Sequence, residues 1–294
     1  MAMDSPGGGL MVSLEFVLVS GGIMPYRHAW MFIVALIVAT VFAFQRSYFT
    51  VLSTASPGFH AHGITASLWM LLLLVQSWTP QRGLIAVHRT LGLATFVAIP
   101  LIAAGAMGVI HSMAAGTLGG NPFYALWGAR LAFIDAAAFG ALLYAAGMAL
   151  RHRHDVRLHA GYMLSTALPL VSPVLGRVLA QTVPGFVVRG PQDFPIFGWS
   201  AQCANLCAGI VALWLWRRDP RAGRPWAVAA AVIAVQIVGF ETLAKSPSWI
   251  AAFLTTARLP LTWLMLFGLM AGSVAVALGW TRPARRDNRP AILA

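Results

Sequence analysis

Three histidines are the clearest candidate metal ligands in the sequence. His60 and His62 stand two positions apart, and His111 closes a later apolar run. Neutral imidazole suits zinc, copper or iron, so a transition metal or haem is a candidate cofactor here. Residues two apart in a helix point about 200° away from each other, so His60 and His62 share one ion only if their segment is irregular. The alternative is that these histidines are polar residues at a membrane boundary.

A second group of polar residues lies inside apolar runs, where a charge is costly unless it is paired or faces water. Asp135 or Glu241 could carry protons, while Arg130 and Arg177 could stabilise negative charge on a substrate or on haem propionates. The same outer half of the predicted bundle also contains Gln202 and Asn205. The alternative is structural: Asp135 would form a buried pair with Arg130 or Arg177 that holds helices together.

His88 and His159 each open an apolar run beside arginines, at the other predicted face of the membrane. They are either part of a charge cluster that anchors helix ends or a second ligand set for a cofactor. Histidines at both faces are typical of transmembrane haem carriers. The match is imperfect, because the fourth apolar run has no histidine in its interior. His152 and His154 lie in an arginine-rich loop and are expected to be solvated.

The elements that position these residues are long apolar runs. Hydrophobic residues make up 59% of the chain and charged residues 10%, whereas a soluble domain has about 25% charged residues. Runs of about 20 residues are long enough to cross a bilayer as helices. The sequence therefore predicts an all-α transmembrane bundle with crossings at 28–44, 60–78, 88–113, 123–150, 159–181, 197–216, 225–243 and 259–280. Residues 247–256 are predicted to form a short interfacial helix.

The arginines predict the orientation, because cytoplasmic loops are enriched in Lys and Arg. With both termini in the cytoplasm, fourteen basic residues lie at cytoplasmic helix ends and four at the other face. The fourteen are Arg27, Arg82, Arg89, Arg151, Arg153, Arg157, Arg217, Arg218, Arg221, Arg224, Arg282, Arg285, Arg286 and Arg289. We predict an interfacial segment at 1–27, the bundle at 28–281 and a basic tail at 282–294.

The distribution of charge also excludes classes of protein. The net charge of +12 could suggest nucleic-acid binding, but the arginines lie in short loops between apolar runs.

Cys203 and Cys207 are four apart on one predicted helix face, a spacing that does not suit a disulfide. The phosphate-binding loop, the zinc-protease motif and the nucleophile elbow are absent from the sequence.

Four segments resemble a broad group of bacterial multi-pass membrane proteins. They are residues 59–63, 88–92, 157–163 and 176–177, and the similarity extends over roughly 28–257. In that group the third segment more usually has a basic pair after the histidine, where this chain has Ala160 and Gly161. The resemblance implies a multi-pass protein of the bacterial inner membrane and implies no particular chemistry.

Two functions fit these patterns. The first is a metal- or haem-dependent membrane oxidoreductase, with His60, His62 and His111 as ligands. The second is a binding or transport protein without a redox centre, whose polar pocket holds a lipid-soluble or periplasmic small molecule. Both functions place the protein in the lipid bilayer, and neither involves nucleic acid.

Overall fold

The computed structural model describes residues 25–220 and 222–281, and these residues form only helices and turns. The interfacial segment predicted within 1–27 falls almost wholly outside the described residues, as do Arg221 and the predicted basic tail. The helices follow in chain order: α1 Ala29–Phe44, α2 Pro57–Trp78, α3 Ile85–Gly92, α4 Thr95–Leu118, α5 Pro122–Arg151, α6 Val156–Ser165, α7 Leu168–Thr182, α8 Phe197–Arg218, α9 Arg224–Glu241, α10 Pro247–Thr256 and α11 Leu261–Thr281. Short 3-10 turns occupy Phe49–Thr54, Pro80–Arg82, Pro191–Ile196 and Leu243–Lys245.

The helices confirm the predicted multi-pass membrane architecture. Seven helical segments of the described chain are long and apolar enough to cross a membrane, and α1 is a shorter apolar helix of 16 residues. Large apolar side chains cover the outside of the bundle: Phe32 is 75% exposed and Trp263 is 68% exposed. Such a surface suits lipid and not water. The predicted short helix at 247–256 is α10.

Two of the predicted crossings have different boundaries in the structure. The third begins at Thr95 and not at His88, because α3 is a separate short helix that carries His88. The fifth is divided into α6 and α7 at Thr166–Ala167. Pro169, at the start of α7, has no N–H to continue the helical hydrogen bonds, which explains the interruption.

Helix α4 is the centre of the bundle and packs against α2, α5 and α11. Small residues permit its close contact with α11. A Cβ atom added at Gly272 would lie 2.7 Å from Pro100 Cα, and one added at Gly268 would overlap the Ala103 carbonyl oxygen. Glycine at these positions lets the two backbones approach closely, as is common between membrane helices.

The bundle has two polar ends. At one end, which we call the arginine-rich end, Arg153 Nη1 donates to the Trp280 carbonyl and Arg157 pairs with Asp219. At the other, the opposite end, Gln181 donates to the Ala43 carbonyl. These contacts tie together helix ends that are distant in sequence, so each end contains residues from most of the chain.

Candidate functional site

A cavity of about 530 Å³ lies at the arginine-rich end. Its walls come from the segment before α1 and from α2, α3, α4, α6 and the ends of α5 and α11. Apolar and aromatic side chains form most of the lining, including Trp69, Phe96 and Trp280, and both His88 and His159 are among the lining residues. The volume falls within the range of about 300–1,000 Å³ that is usual for small-molecule pockets.

Local sequence places the two histidines on this cavity. Gly83 has a φ of +71°, which a residue with a side chain rarely adopts, and this turn directs the chain from α2 into α3. The Asp155 carboxylate accepts hydrogen bonds from the backbone N–H groups of Arg157 and Leu158, and so caps α6. His159 therefore lies one turn inside a helix whose start is fixed by this cap.

The His88 and His159 rings are neighbours, with centroids 6.4 Å apart. His159 Nδ1 donates to the Ala149 carbonyl at 2.9 Å, which leaves its Nε2 unprotonated in the neutral ring. His88 Nδ1 is buried and has no hydrogen-bond partner among the described residues. Burial lowers the pKa of His88 below its ordinary value. The neighbouring His159 lowers it further, the Gln76 backbone raises it in part, and Arg89 again lowers it. Burial therefore favours the neutral form of the His88 imidazole.

Further polar side chains lie on the cavity, among them Arg89, Arg153 and Gln76. Arg89 is exposed at the cavity, whereas the Arg153 guanidinium stacks 4.1 Å from the centre of the Trp280 ring. Gln76 Nε2 is buried and, within the described part of the chain, has no acceptor. An unsatisfied buried donor costs about 1–3 kcal/mol, so a ligand that accepts this hydrogen bond would recover that free energy.

The three predicted metal ligands, His60, His62 and His111, do not assemble. Helix α2 is regular from Pro57, so His60 and His62 point apart and cannot share an ion. His60 Nδ1 is hydrogen-bonded to Tyr48 Oη at 2.8 Å, and His111 Nε2 donates to the Leu259 carbonyl at 3.2 Å. In the ranges 25–220 and 222–281, no three His, Cys, Asp or Glu residues form a group that could hold a metal ion. The predicted metal site is therefore not supported.

The predicted catalytic residues separate into two places. Arg130 stacks on Trp127 and lies 4.0 Å from Glu241, which also pairs with Lys245 at 2.6 Å. The Glu241 and Lys245 side chains are 48% and 44% exposed, so this group is at the surface. Ion pairs this exposed contribute little to stability, and none of these three residues lines the cavity at the arginine-rich end.

Asp135 and Arg177 lie inside the bundle near Tyr124, close enough to interact electrostatically. Asp135 is in none of the three ion pairs of the described residues, so the pair with Arg130 or Arg177 that was the structural alternative is not formed at contact distance. Arg177 instead donates to the Pro173 carbonyl and stacks 4.3 Å from the Phe44 ring centre. Neither Asp135 nor Arg177 lines the cavity at the arginine-rich end.

The amides of α8 have different surroundings. Gln202 Nε2 donates to the Ile237 carbonyl, while Asn205 is fully buried with both amide atoms unpartnered among the described residues. Neither residue reaches the cavity, whose lining includes no residue of α8.

Sequence reasoning missed most of the cavity. It named His88 and His159 as a possible ligand pair but not Gln76, Trp69 or Arg153. Gln76 was detectable as an amide within an apolar run, but its position opposite His88 depends on how α2 and α3 pack. Comparison of the chain with protein-family models, curated proteins and solved structures finds no match.

Proposed function

We propose that this multi-pass membrane protein binds a small amphiphile in the cavity at the arginine-rich end. The amphiphile has an apolar body and an acidic group. The observation that carries the proposal is the cavity of about 530 Å³ whose wall includes two unpartnered buried polar atoms, His88 Nδ1 and Gln76 Nε2. The sequence favoured a binding or transport protein as its second function and located the pocket at the opposite end. We propose the binding function at the arginine-rich end.

The chemistry of the lining defines the ligand class. Trp69, Phe96 and Trp280 offer apolar surface for the body of the ligand. Arg89 supplies a positive charge and Gln76 a hydrogen-bond donor, which together suit a carboxylate. If the arginine-rich end lies on the cytoplasmic face of a bacterial inner membrane, the acidic group of the ligand faces the cytoplasm. The excess of arginines at this end supports that orientation.

A photoactivatable fatty acid tests the proposal. The full-length protein is placed in lipid nanodiscs and irradiated with a diazirine-bearing palmitic acid, and the labelled peptides are quantified by mass spectrometry. Labelling is expected on the peptides that carry Trp69, Phe96 and Trp280. Arg89→Gln should weaken labelling by the acid about tenfold, equivalent to about 1.4 kcal/mol. Labelling by the matching alcohol should not change, because the alcohol lacks the charge.

A pair of glycine substitutions provides the control for cavity occupancy. Gly92 lines the cavity, and a Cβ there would meet only Gln76 Oε1, at 3.7 Å. Gly140 has open space around it on α5. Gly92→Phe should fill the cavity and reduce labelling of the cavity peptides at least tenfold, whereas Gly140→Phe should leave it unchanged. Equal labelling in the two variants would contradict the proposal.

A further inference from the structure

The separation of the two cavity histidines matches that of two ligands on opposite sides of one metal ion. An imidazole nitrogen lies about 1.15 Å from the ring centre and a metal–nitrogen bond is about 2.0 Å long, so two such rings have centres about 6.3 Å apart. The observed separation between the His88 and His159 centroids is 6.4 Å. The rings are nearly perpendicular, at 86°, which axial imidazoles can adopt because each rotates about its own metal–nitrogen bond.

One nitrogen of each ring makes no hydrogen bond among the described residues and would form such a bond. The His159 Nδ1–H bond to the Ala149 carbonyl fixes the tautomer and leaves Nε2 as the ligand atom. A backbone carbonyl that accepts from the second ring nitrogen is the usual support of a metal-binding histidine. His88 Nδ1, buried and without a partner in the described part of the chain, is the corresponding atom on the other ring.

The rest of the cavity excludes a bare ion and favours a metal that brings its own ligands. A zinc site built from protein needs three or four side chains, but no group of three suitable residues exists among the residues described. The lining is instead large and mainly apolar, with Trp69, Phe96 and Trp280 around it and Arg89 at hand for an acidic group. A metal porphyrin supplies four equatorial nitrogens, a flat apolar body and two carboxylates.

We infer that the cavity binds a metal porphyrin of the haem type, with His88 and His159 as its two axial ligands. The inference rests on the proposed function, because it specifies the occupant of the same cavity. His88 is contributed by α3 and His159 by α6, so the porphyrin would join the two short helices that interrupt the regular crossings. Arg89 would hold a propionate at the arginine-rich end.

Hemin titration of the full-length protein in detergent tests this inference. We expect one hemin per chain and, after reduction with dithionite, the sharp visible bands of six-coordinate low-spin iron. His88→Ala and His159→Ala should each lose these bands and bind hemin at least tenfold more weakly. Added imidazole should restore the low-spin spectrum of His88→Ala, which a purely structural role for His88 would not produce. His152→Ala is the matched control, since His152 lies at the same end and does not line the cavity, and its spectrum should be unchanged.

The outcomes separate this inference from the proposed function. If hemin does not bind stoichiometrically while the fatty acid still labels the cavity and Gly92→Phe still prevents it, the porphyrin assignment is wrong and the binding function stands. If hemin binds but the spectrum is the same in all three histidine variants, the iron is ligated elsewhere and the inference is overturned. If neither probe enters the cavity, both proposals fail.

Discussion

The two ends of the bundle place the same residue type in different surroundings. At the opposite end, His60 is hydrogen-bonded to Tyr48 at 2.8 Å and His111 donates to the Leu259 carbonyl at 3.2 Å. His62 Nδ1 is buried without a partner among the described residues, but His62 does not line the cavity. At the arginine-rich end, His88 Nδ1 has no partner among the described residues and lies on a cavity of about 530 Å³. Satisfied histidines stabilise a helix end, whereas an unsatisfied histidine beside a cavity is available to a ligand.

The largest expected effect tests whether the cavity has rigid walls. Trp69 is 1% exposed, lines the cavity and donates from Nε1 to Thr166 Oγ1 at 3.0 Å. Trp69→Ala should lower the free energy of unfolding by about 3–5 kcal/mol, because it removes a large packed ring. Trp78→Ala, on the same helix but 37% exposed, should cost less than about 1 kcal/mol. Both stabilities are measured by denaturation in mixed micelles. Similar losses for Trp69→Ala and Trp78→Ala would indicate that this end of the bundle is loosely packed and does not enclose a rigid cavity.

The next prediction is a gain in stability at the arginine-rich end, whereas the matching substitution at the opposite end should lower stability. Gln76→Met removes the buried Nε2 donor that has no acceptor in the described structure. It should raise the free energy of unfolding of the ligand-free protein by about 1 kcal/mol. The same change should reduce fatty-acid labelling of the cavity, since the ligand loses a hydrogen-bond donor. A variant that is both less stable and normally labelled would show that Gln76 serves packing and not binding.

At the opposite end, the corresponding substitution should destabilise. Tyr48→Phe removes the hydroxyl that bonds His60 Nδ1, and the expected loss is about 1 kcal/mol. Cavity labelling should be unaffected. A double-mutant cycle with His60→Phe isolates the pair, because the two substitutions should be non-additive if the hydrogen bond accounts for the loss. Additive losses would show that Tyr48 and His60 contribute to stability independently, and not through their hydrogen bond.

The smallest effect concerns pH. The pKa of folded His88 is lowered, mainly by burial, so the folded state resists protonation. The contribution of His88 to stability is complete above its ordinary pKa of about 6.5. It decreases as pH falls below that value, since the unfolded chain then takes up a proton more readily. Stability should therefore decrease between pH 7.5 and 5.5, and His88→Phe should make this slope shallower. The pH dependence of stability that remains in His88→Phe includes the contribution of His152, whose pKa is also lowered by burial.

Sequence reasoning predicted most of the fold because its signals are local. Runs of about 20 apolar residues must form helices in lipid, where each backbone group needs an internal partner. The breaks within the third and fifth predicted crossings, after Gly92 and at Thr166–Ala167, were not predicted, because both lie inside runs read as continuous crossings. Pro169 interrupts the fifth run only slightly, yet a helix cannot continue its hydrogen bonds through it. The predicted orientation and the division at 27/28 and 281/282 stay predictions.

The candidate site was less predictable. His60, His62 and His111 formed the most compact histidine pattern in sequence, but a regular α2 separates the first two and local partners bind His60 and His111. The structural alternative paired Asp135 with Arg130 or Arg177, but Arg130 lies on Trp127 and Arg177 contacts Phe44 and the Pro173 carbonyl. Such choices depend on which neighbour is nearest in space, and sequence spacing does not specify that.

The amino-acid sequence by itself determined that this protein is an all-α membrane bundle, because run length and charge clustering are properties of the chain alone. Only the tertiary structure decided which histidines come together. His88 and His159 are 71 positions apart in the chain and become neighbours because α3 and α6 both pack at the arginine-rich end beside α2. The same packing leaves the cavity, because the short helices α3 and α6 do not fill the space next to Trp69, Phe96 and Trp280.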